Sequence, residues 1–306
     1  NDENIDCSIL DDLIVKEEKW LNNQNQKIAL IGIGLLGESI AERLISKGFK
    51  LGVWNRTKNK YQNLINQGAE EIINLKNISD KYQIIITVLK DGKCTKDIIC
   101  DIASIKNKAI IQMGTIGSEE SIKLEKLVKA KGGKYLEAPL LGSVKEALAG
   151  KLLGIIGGNK KTFERHEFIF RAICEKIYFL GSVNNASSSK LALNYLIASL
   201  TYSFSLTPRF LQENNINIEI FMDLLRHSSL YAKTFDKKLE RMLSSNHENA
   251  NFNIKNLSKD IDLFNNQVKK MNIDNSLLEK LNDILKSNNA IKYNNLDYSS
   301  IYLLTK

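Results

Sequence analysis

The segment 27–32 (KIALIG) is a short apolar run closed by glycine, and it predicts a buried strand. Leu36, Ile40 and Leu44 then recur at helical spacing, with Gly48 as a stop after Lys47. Leu51–Trp54 (LGVW) predicts a second strand and completes a βαβ unit. The alternation continues, with strands predicted at 84–89, 109–113, 134–137, 152–156 and 176–180. Ile122, Leu124 and Leu127 lie among charges in 118–131, which predicts an amphipathic helix ending at Gly132-Gly133. A further helix is expected between the last two strands. Strands alternating with helices imply a mostly parallel sheet covered on both faces.

The pattern changes near Gly181, and beyond Ser187 the strand signal is lost. Residues 191–207 carry no charge. Asn194, Ser199, Thr201, Ser203 and Ser205 make this stretch too polar for a membrane span, and Pro208 and Arg209 cut it short of the roughly 20 residues a span needs. A helix buried in a protein core is expected instead, followed by helices at 218–226, 235–243, 257–271 and 277–286. The predicted organisation is a tail at 1–26, an α/β domain at 27–186 and an all-helical domain at 187–306, with the boundary around 183–188. The tail is polar and mostly acidic, without the basic and apolar regions of a signal peptide. Ile9, Leu10, Leu13 and Ile14 would give it one or two helical turns. A cytoplasmic location is expected; an organellar one stays open because the chain does not begin with Met.

With 43% hydrophobic and 25% charged residues in 306, the composition is that of an ordinary globular protein. The net charge of +8 would attract an anionic cofactor or substrate. The basic residues are scattered among acids without a long run, so no nucleic acid and no membrane partner is expected. Cys7, Cys94, Cys100 and Cys174 show no metal spacing, and His166, His227 and His247 fall in no ligand pattern, so no metal site is expected.

The chemistry begins at Gly32-Ile33-Gly34-Leu35-Leu36-Gly37, a GxGxxG that follows a strand and opens a helix. In that context the glycines serve a tight turn, a close backbone approach to a pyrophosphate, and close packing of helix on strand. A glycine-rich turn without a ligand is the bland alternative. After the second strand comes Trp54-Asn55-Arg56-Thr57. An acidic residue here would bond the ribose hydroxyls of NAD; Asn55 carries no such charge. Arg56 can pair with a 2′-phosphate, Thr57 can donate a hydroxyl and Lys60 can add charge, so NADP (NADPH) is the expected cofactor. An ordinary basic turn is the alternative for Arg56 alone. Lys190 and Asn194 stand at i and i+4 and share one helix face. On spacing alone Lys190 reads first as a solvated lysine at a helix start. At a domain boundary it can instead sit partly desolvated in a cleft and act as an acid.

These residues resemble the β-hydroxyacid dehydrogenase family, which includes 3-hydroxyisobutyrate dehydrogenase and the glyoxylate/succinic semialdehyde reductases. The resemblance runs over 27–306. GIGLLGESIA at 32–41 resembles the family's GLGxMGxxMA, and WNRT at 54–57 its NADP-using branch. EAPLLGS at 137–143 is similar to its substrate-binding signature, and Lys190 with Asn194 to its KxxxN catalytic signature. Lys259-Asp260 resembles a KD pair whose lysine borders the active site, and Asp297-Tyr298-Ser299 a C-terminal DxS region.

The resemblance implies an α/β Rossmann-type doubly wound domain followed by an all-helical C-terminal domain, with the active site between them. It also implies a homodimer or tetramer and a small carbonyl or hydroxy-acid substrate. Lys190 would protonate the forming alkoxide, or take a proton in oxidation, and Asn194 would orient it or bind substrate. Backbone N–H groups around Gly142 and Ser143 would hold a substrate carboxylate. Thr115 would lie beside nicotinamide and substrate, Leu89 would line the cofactor, and Lys259 would border cofactor or pocket. Departures are Leu141 for a serine, Asn184 and Ala186 for glycines, Gln112 and Gly114 for Asp and Ser, and Leu206 where many members have Glu. An imine reductase with an apolar pocket is one alternative, although such enzymes commonly lack the lysine. A catalytically silent NADP-binding protein for assembly or partner recognition is another.

Overall fold

The computed structural model describes residues 26–305, so Cys7 and the turns expected at Ile9, Leu10, Leu13 and Ile14 lie outside the described residues. The chain divides after Lys190 into two compact units. The first unit runs β1 (Ile28–Ile31), α1 (Leu35–Ser46), β2 (Leu51–Trp54), α2 (Gln62–Asn66), β3 (Glu70–Glu71), α3 (Ile78–Lys81), β4 (Ile84–Thr87) and α4 (Gly92–Asp101). It continues with β5 (Ala109–Gln112), α5 (Ser118–Ala130), β6 (Lys134–Glu137), β7 (Leu140–Leu141), α6 (Val144–Ala149), β8 (Leu152–Gly158), α7 (Lys160–Ile173) and β9 (Cys174–Phe179). Strand order is β3-β2-β1-β4-β5-β6-β8-β7, with β9 on β8. Neighbours from β3 to β6 are parallel, and β8 runs antiparallel to β6. The order reverses between β1 and β4, where a doubly wound sheet opens a crevice at its carboxyl ends.

The central strands read IALI, IIIT and AIIQ, and the pleat sends neighbouring side chains to opposite faces. Leu30, Ile84, Ile86, Ile111 and Leu136 join Ile40 and Leu44 of α1 in one core. Ala29, Ile31, Ile85, Ile110 and Tyr135 join Ile99 of α4 with Leu124 and Val128 of α5 in another. Burial on both faces is why these strands are almost uninterrupted apolar runs. The strands expected at 84–89 and 109–113 stop at Thr87 and Gln112, although Val88 and Met113 still donate their N–H to the Ile31 and Thr87 carbonyls of the neighbouring strands. At two residues each, β3 and β7 are too short to carry a period.

In the second unit α8 (Asn185–Glu213) is followed by α9 (Ile218–Arg226), α10 (Lys233–Leu243), α11 (Ile254–Lys270), α12 (Ser276–Lys286), α13 (Asn288–Ile291) and a 3-10 segment, Tyr298–Thr305. Pro208, which follows the uncharged stretch, lies inside α8, and the helix runs on to Glu213. Proline removes one backbone bond and strains the turn before it, at about 3 kcal/mol. The helix beyond it is held from outside. Arg209 donates to Thr305 Oγ1 at 2.8 Å and to the Tyr302 carbonyl at 2.7 Å, with its guanidinium 3.9 Å from the centre of the Tyr302 ring. Among the described residues no helix is long and apolar enough to cross a membrane. Leu196, Leu200, Leu206 and Phe210 of α8 are exposed, although helical spacing puts them on one side.

Candidate functional site

The glycine loop between β1 and α1 is built by close approach. Gly32 has φ 102°, and a Cβ there would stand 2.4 Å from the Val88 carbonyl oxygen. A Cβ on Gly37 would stand 2.1 Å from the Gly32 oxygen. Gly34 differs: a Cβ on it meets nothing within 4 Å. Gly34 is also the N-cap of α1, so no side chain bonds the amides of that first turn around Leu35 and Leu36. Open space before uncapped N–H groups and a positive helix end fits a pyrophosphate.

The loop is tied to the end of β2. Asn55 Oδ1 accepts the Ile33 N–H at 3.1 Å, and Asn55 Nδ2 donates to the Thr57 carbonyl at 3.0 Å. Asn55 thus bonds protein on both sides, and Arg56 and Thr57 beside it are exposed. Beyond β4, the Leu89 carbonyl oxygen would lie 2.3 Å from a Cβ on Gly114, so the turns after β4 and β5 touch. Gln112 Nε2 donates to the Gly114 carbonyl at 2.9 Å, which fixes the turn before half-buried Thr115.

The signature turn at Leu141, Gly142 and Ser143 lies between β7 and α6. Leu141 is half-buried, and Gly142 has φ 138°. Ser143 donates its N–H to Glu146 Oε2 at 2.9 Å and its hydroxyl to the same oxygen, a capping box for α6. The Ser143 N–H expected to face a substrate, and the Ser143 hydroxyl with it, are therefore bonded to a carboxylate of the chain itself.

Lys190 and Asn194 follow on one face of α8, at 7% and 2% exposure. Lys190 is thus buried and does not sit in solvent at the helix start. Within the helical unit, Asn194 Nδ2 donates to Asp260 Oδ2 at 2.6 Å, and Lys259 Nζ lies 2.9 Å from Asp260 Oδ1. Asp260 is buried while the Lys259 side chain is about one-third exposed, at 31%. Sequence reasoning singled out the lysine of this pair. Asp260 is the member that reaches Asn194, across 66 residues that no periodicity links.

Of the three histidines, His166 and His247 are buried and His227 is exposed. His166 Nδ1 bonds the Thr162 carbonyl at 2.7 Å, and burial holds its imidazole below the ordinary range. His247 Nδ1 lies 2.8 Å from Ser299 Oγ and is depressed for the same reason. Among the described residues no three His, Cys, Asp or Glu side chains could hold a metal ion together.

Comparison with known proteins matches both parts of the chain. The NAD binding domain of 6-phosphogluconate dehydrogenase matches residues 27–181, and the NAD-binding domain of NADP-dependent 3-hydroxyisobutyrate dehydrogenase matches 185–305. Glyoxylate/succinic semialdehyde reductase 1 of Arabidopsis thaliana is 25% identical over 280 residues, covering 90% of this chain and 96% of that protein. Cytokine-like nuclear factor N-PAC of Drosophila melanogaster is 27% identical over 291 residues and covers 92% of this chain. The chain spans only 48% of N-PAC. The solved 3-hydroxyisobutyrate dehydrogenase of Mycobacterium tuberculosis, with L-serine, superposes at a TM-score of 0.83, with 18% identity over 91% of this chain and 98% of that one. A glycine loop shaped for a dinucleotide, a helical unit that follows it and two matching domain models lead to one assignment: the chain belongs to the β-hydroxyacid dehydrogenase family, NAD(P)-dependent oxidoreductases that act on CH–OH groups.

Proposed function

We propose that this chain is an NADP-preferring reductase of a small aldehyde or keto acid, of the glyoxylate or semialdehyde type, with Lys190 as general acid. The observation that carries this reading is the burial of Lys190 one turn before an Asn194 that is bonded to buried Asp260. In this reading 27–186 binds the nucleotide, and 187–306 serves substrate binding and assembly.

When bound, the nicotinamide supplies a hydride to the substrate carbon, or accepts one in the reverse direction. The amides at 32–37 hold the pyrophosphate, Arg56 and Thr57 take the 2′-phosphate, and Leu89 and Thr115 line the nicotinamide end. As negative charge grows on the substrate oxygen, the Lys190 ammonium gives it a proton from Nζ. Asn194 keeps its amide oriented because Asp260 accepts from Nδ2, and Lys259 offsets the charge on Asp260. Leu141 makes the substrate end more apolar than the family signature. The exposed leucines of α8 support a homodimer or tetramer formed through this helix.

Catalytic silence is the second reading, favoured by Leu141 and by the Ser143 donors already bonded to Glu146. NADPH oxidation screened against glyoxylate, succinic semialdehyde, other semialdehydes and cyclic imines separates the two. Turnover of a carbonyl supports the reductase; NADPH binding without any turnover supports silence. On the substrate found, Lys190→Ala should lower kcat by roughly 10²–10⁴-fold with NADPH binding nearly unchanged. Lys190→Arg should rescue little, because guanidinium does not release its proton near neutral pH. A wild-type rate in Lys190→Ala would overturn the assignment.

A further inference from the structure

We infer that Glu137 is a positioning residue for Lys190: it holds the first turn of α8 to the carboxyl edge of the sheet. The inference rests on the reading of Lys190 as proton donor. Glu137 closes β6 and is 0% exposed. A carboxylate so deep needs partners for both oxygens. Oε2 accepts the Ser121 hydroxyl at 2.6 Å, and Oε1 accepts the Ala186 N–H at 2.8 Å. Ser121 Oγ also lies 3.0 Å from the Tyr135 hydroxyl. Because Ser121 spends its hydrogen on Glu137, Tyr135 must donate to Ser121, which gives a relay of bonds from Tyr135 to Ala186.

Ala186 is the second residue of α8, and its N–H has no acceptor within the helix. The carboxylate satisfies that donor and complements the positive end of the helix. Lys190 follows Ala186 by four residues, on the same face. The bond at Ala186 therefore fixes the height and rotation of the turn that carries Lys190.

The sheet makes room for this contact. Glu137 pairs in register with Gly157 of β8, and a Cβ on Gly157 would lie 2.5 Å from Glu137 Oε1 and 2.9 Å from the Ser182 carbonyl oxygen. Glycine at 157 lets the carboxylate reach α8. On the other side Glu137 pairs with Gln112, and Gln112 with Thr87. All three are fully buried, a polar row across the carboxyl ends of three parallel strands. With both oxygens engaged and no exposed surface, Glu137 is a support of the helix and not a contact for substrate, although it opens the signature-like EAPLLGS segment.

The test uses the full chain with Glu137→Ala, Glu137→Gln and Gly157→Ala. Three readouts are taken: kcat and KM on the substrate found by the screen, NADPH affinity, and hydrogen exchange in peptides covering 183–190. Glu137→Ala should speed exchange there and lower kcat by roughly tenfold to a hundredfold, as misplacement of a catalytic group does. NADPH affinity should stay within about twofold, because the phosphate loop is untouched. Glu137→Gln should recover most of kcat, since its amide oxygen can still accept from Ala186 while Ser121 turns to accept. Gly157→Ala, which displaces the carboxylate from outside, should reproduce the loss of kcat and the faster exchange. Its effect should largely vanish in a Glu137→Ala background.

A kcat for Glu137→Ala within about twofold of wild type would overturn the inference, as would unchanged exchange at 183–190. Equal losses in Glu137→Gln and Glu137→Ala would also do so. If Glu137→Ala does not fold, Gly157→Ala decides alone by the same two readouts. Lys190→Ala at the wild-type rate would remove the reading beneath the inference, and the exchange measurement would still say whether Glu137 holds α8.

Discussion

The Asn55 side chain accepts the Ile33 amide at 3.1 Å and donates to the Thr57 carbonyl at 3.0 Å, so one residue joins the glycine loop to the turn that presents Arg56. The neutral amide at this position has a structural duty. An aspartate there would keep the acceptor for Ile33, lose the donor for Thr57 and bring a negative charge next to any 2′-phosphate.

Cofactor choice should follow from that turn. Arg56→Ala should weaken NADPH by roughly tenfold to a hundredfold, the worth of one charged hydrogen bond, and leave NADH nearly unchanged. Asn55→Asp should move preference in the same direction. Titration with both nucleotides reads the outcome. A wild-type preference in Arg56→Ala would show that this guanidinium does not read the phosphate.

Two of the loop glycines, Gly37 and Gly34, should respond differently to the same methyl group. Gly37→Ala drives a Cβ toward the Gly32 oxygen and should destabilise the first unit by about 1–3 kcal/mol, seen as a lower Tm. Gly34→Ala meets no protein atom, and Gly34 already has an ordinary φ of −95°, so Tm should hold while nucleotide affinity falls. Equal nucleotide affinity for Gly34→Ala and wild type would place the pyrophosphate elsewhere.

Glu146 should govern the response to substrate charge. Its carboxylate holds both Ser143 donors. Glu146→Ala releases them, so KM for glyoxylate should fall relative to that for a neutral aldehyde of similar size. The helix cap it removes should lower stability by about 0.5–2 kcal/mol. Steady-state kinetics on the two substrates checks this; parallel changes in both KM values would refute it.

Acid should loosen both units. Burial depresses His166 and His247 below the ordinary histidine value of 6.5. The unfolded chain therefore takes up protons near that value while the folded chain does not. Stability is full above pH 6.5 and falls as pH drops toward the folded-state values. Thermal unfolding followed from pH 7.5 downward should show a falling Tm, and a His247→Gln variant should show a shallower fall. Identical slopes in the two proteins would exclude His247 as a contributor.

Much of the fold could be read in the sequence because burial leaves a periodic mark. The runs IALI, IIIT and AIIQ and the glycine spacing at 32–37 announce a two-sided sheet and the tight turn from β1 into α1. That α8 runs on through Pro208 was not legible, because a proline's local cost says nothing of Arg209 and its distant partners, Tyr302 and Thr305. The resemblance pointed to Lys190, Asn194 and the segments that carry Glu137 and Asp260, but not to the contacts those two carboxylates make. Glu137 meets Ala186 across 49 residues and Asp260 meets Asn194 across 66, and contacts of that kind leave no repeat along the chain. Glu146 had a legible signal in the S-x-x-E of a capping box.

The two-sided sheet also supplies its own spectroscopic reporters. Isoleucine occupies both phases of the pleat, so Ile84, Ile86 and Ile111 sense one core while Ile85 and Ile110 sense the other. Ile254, Ile261 and Ile301 lie in a core of the helical unit. With isoleucine δ1-methyl groups labelled, each layer has resonances of its own. A nucleotide, a substrate or a substitution such as Gly157→Ala can then be traced to the face it disturbs, without adding a probe to the molecule.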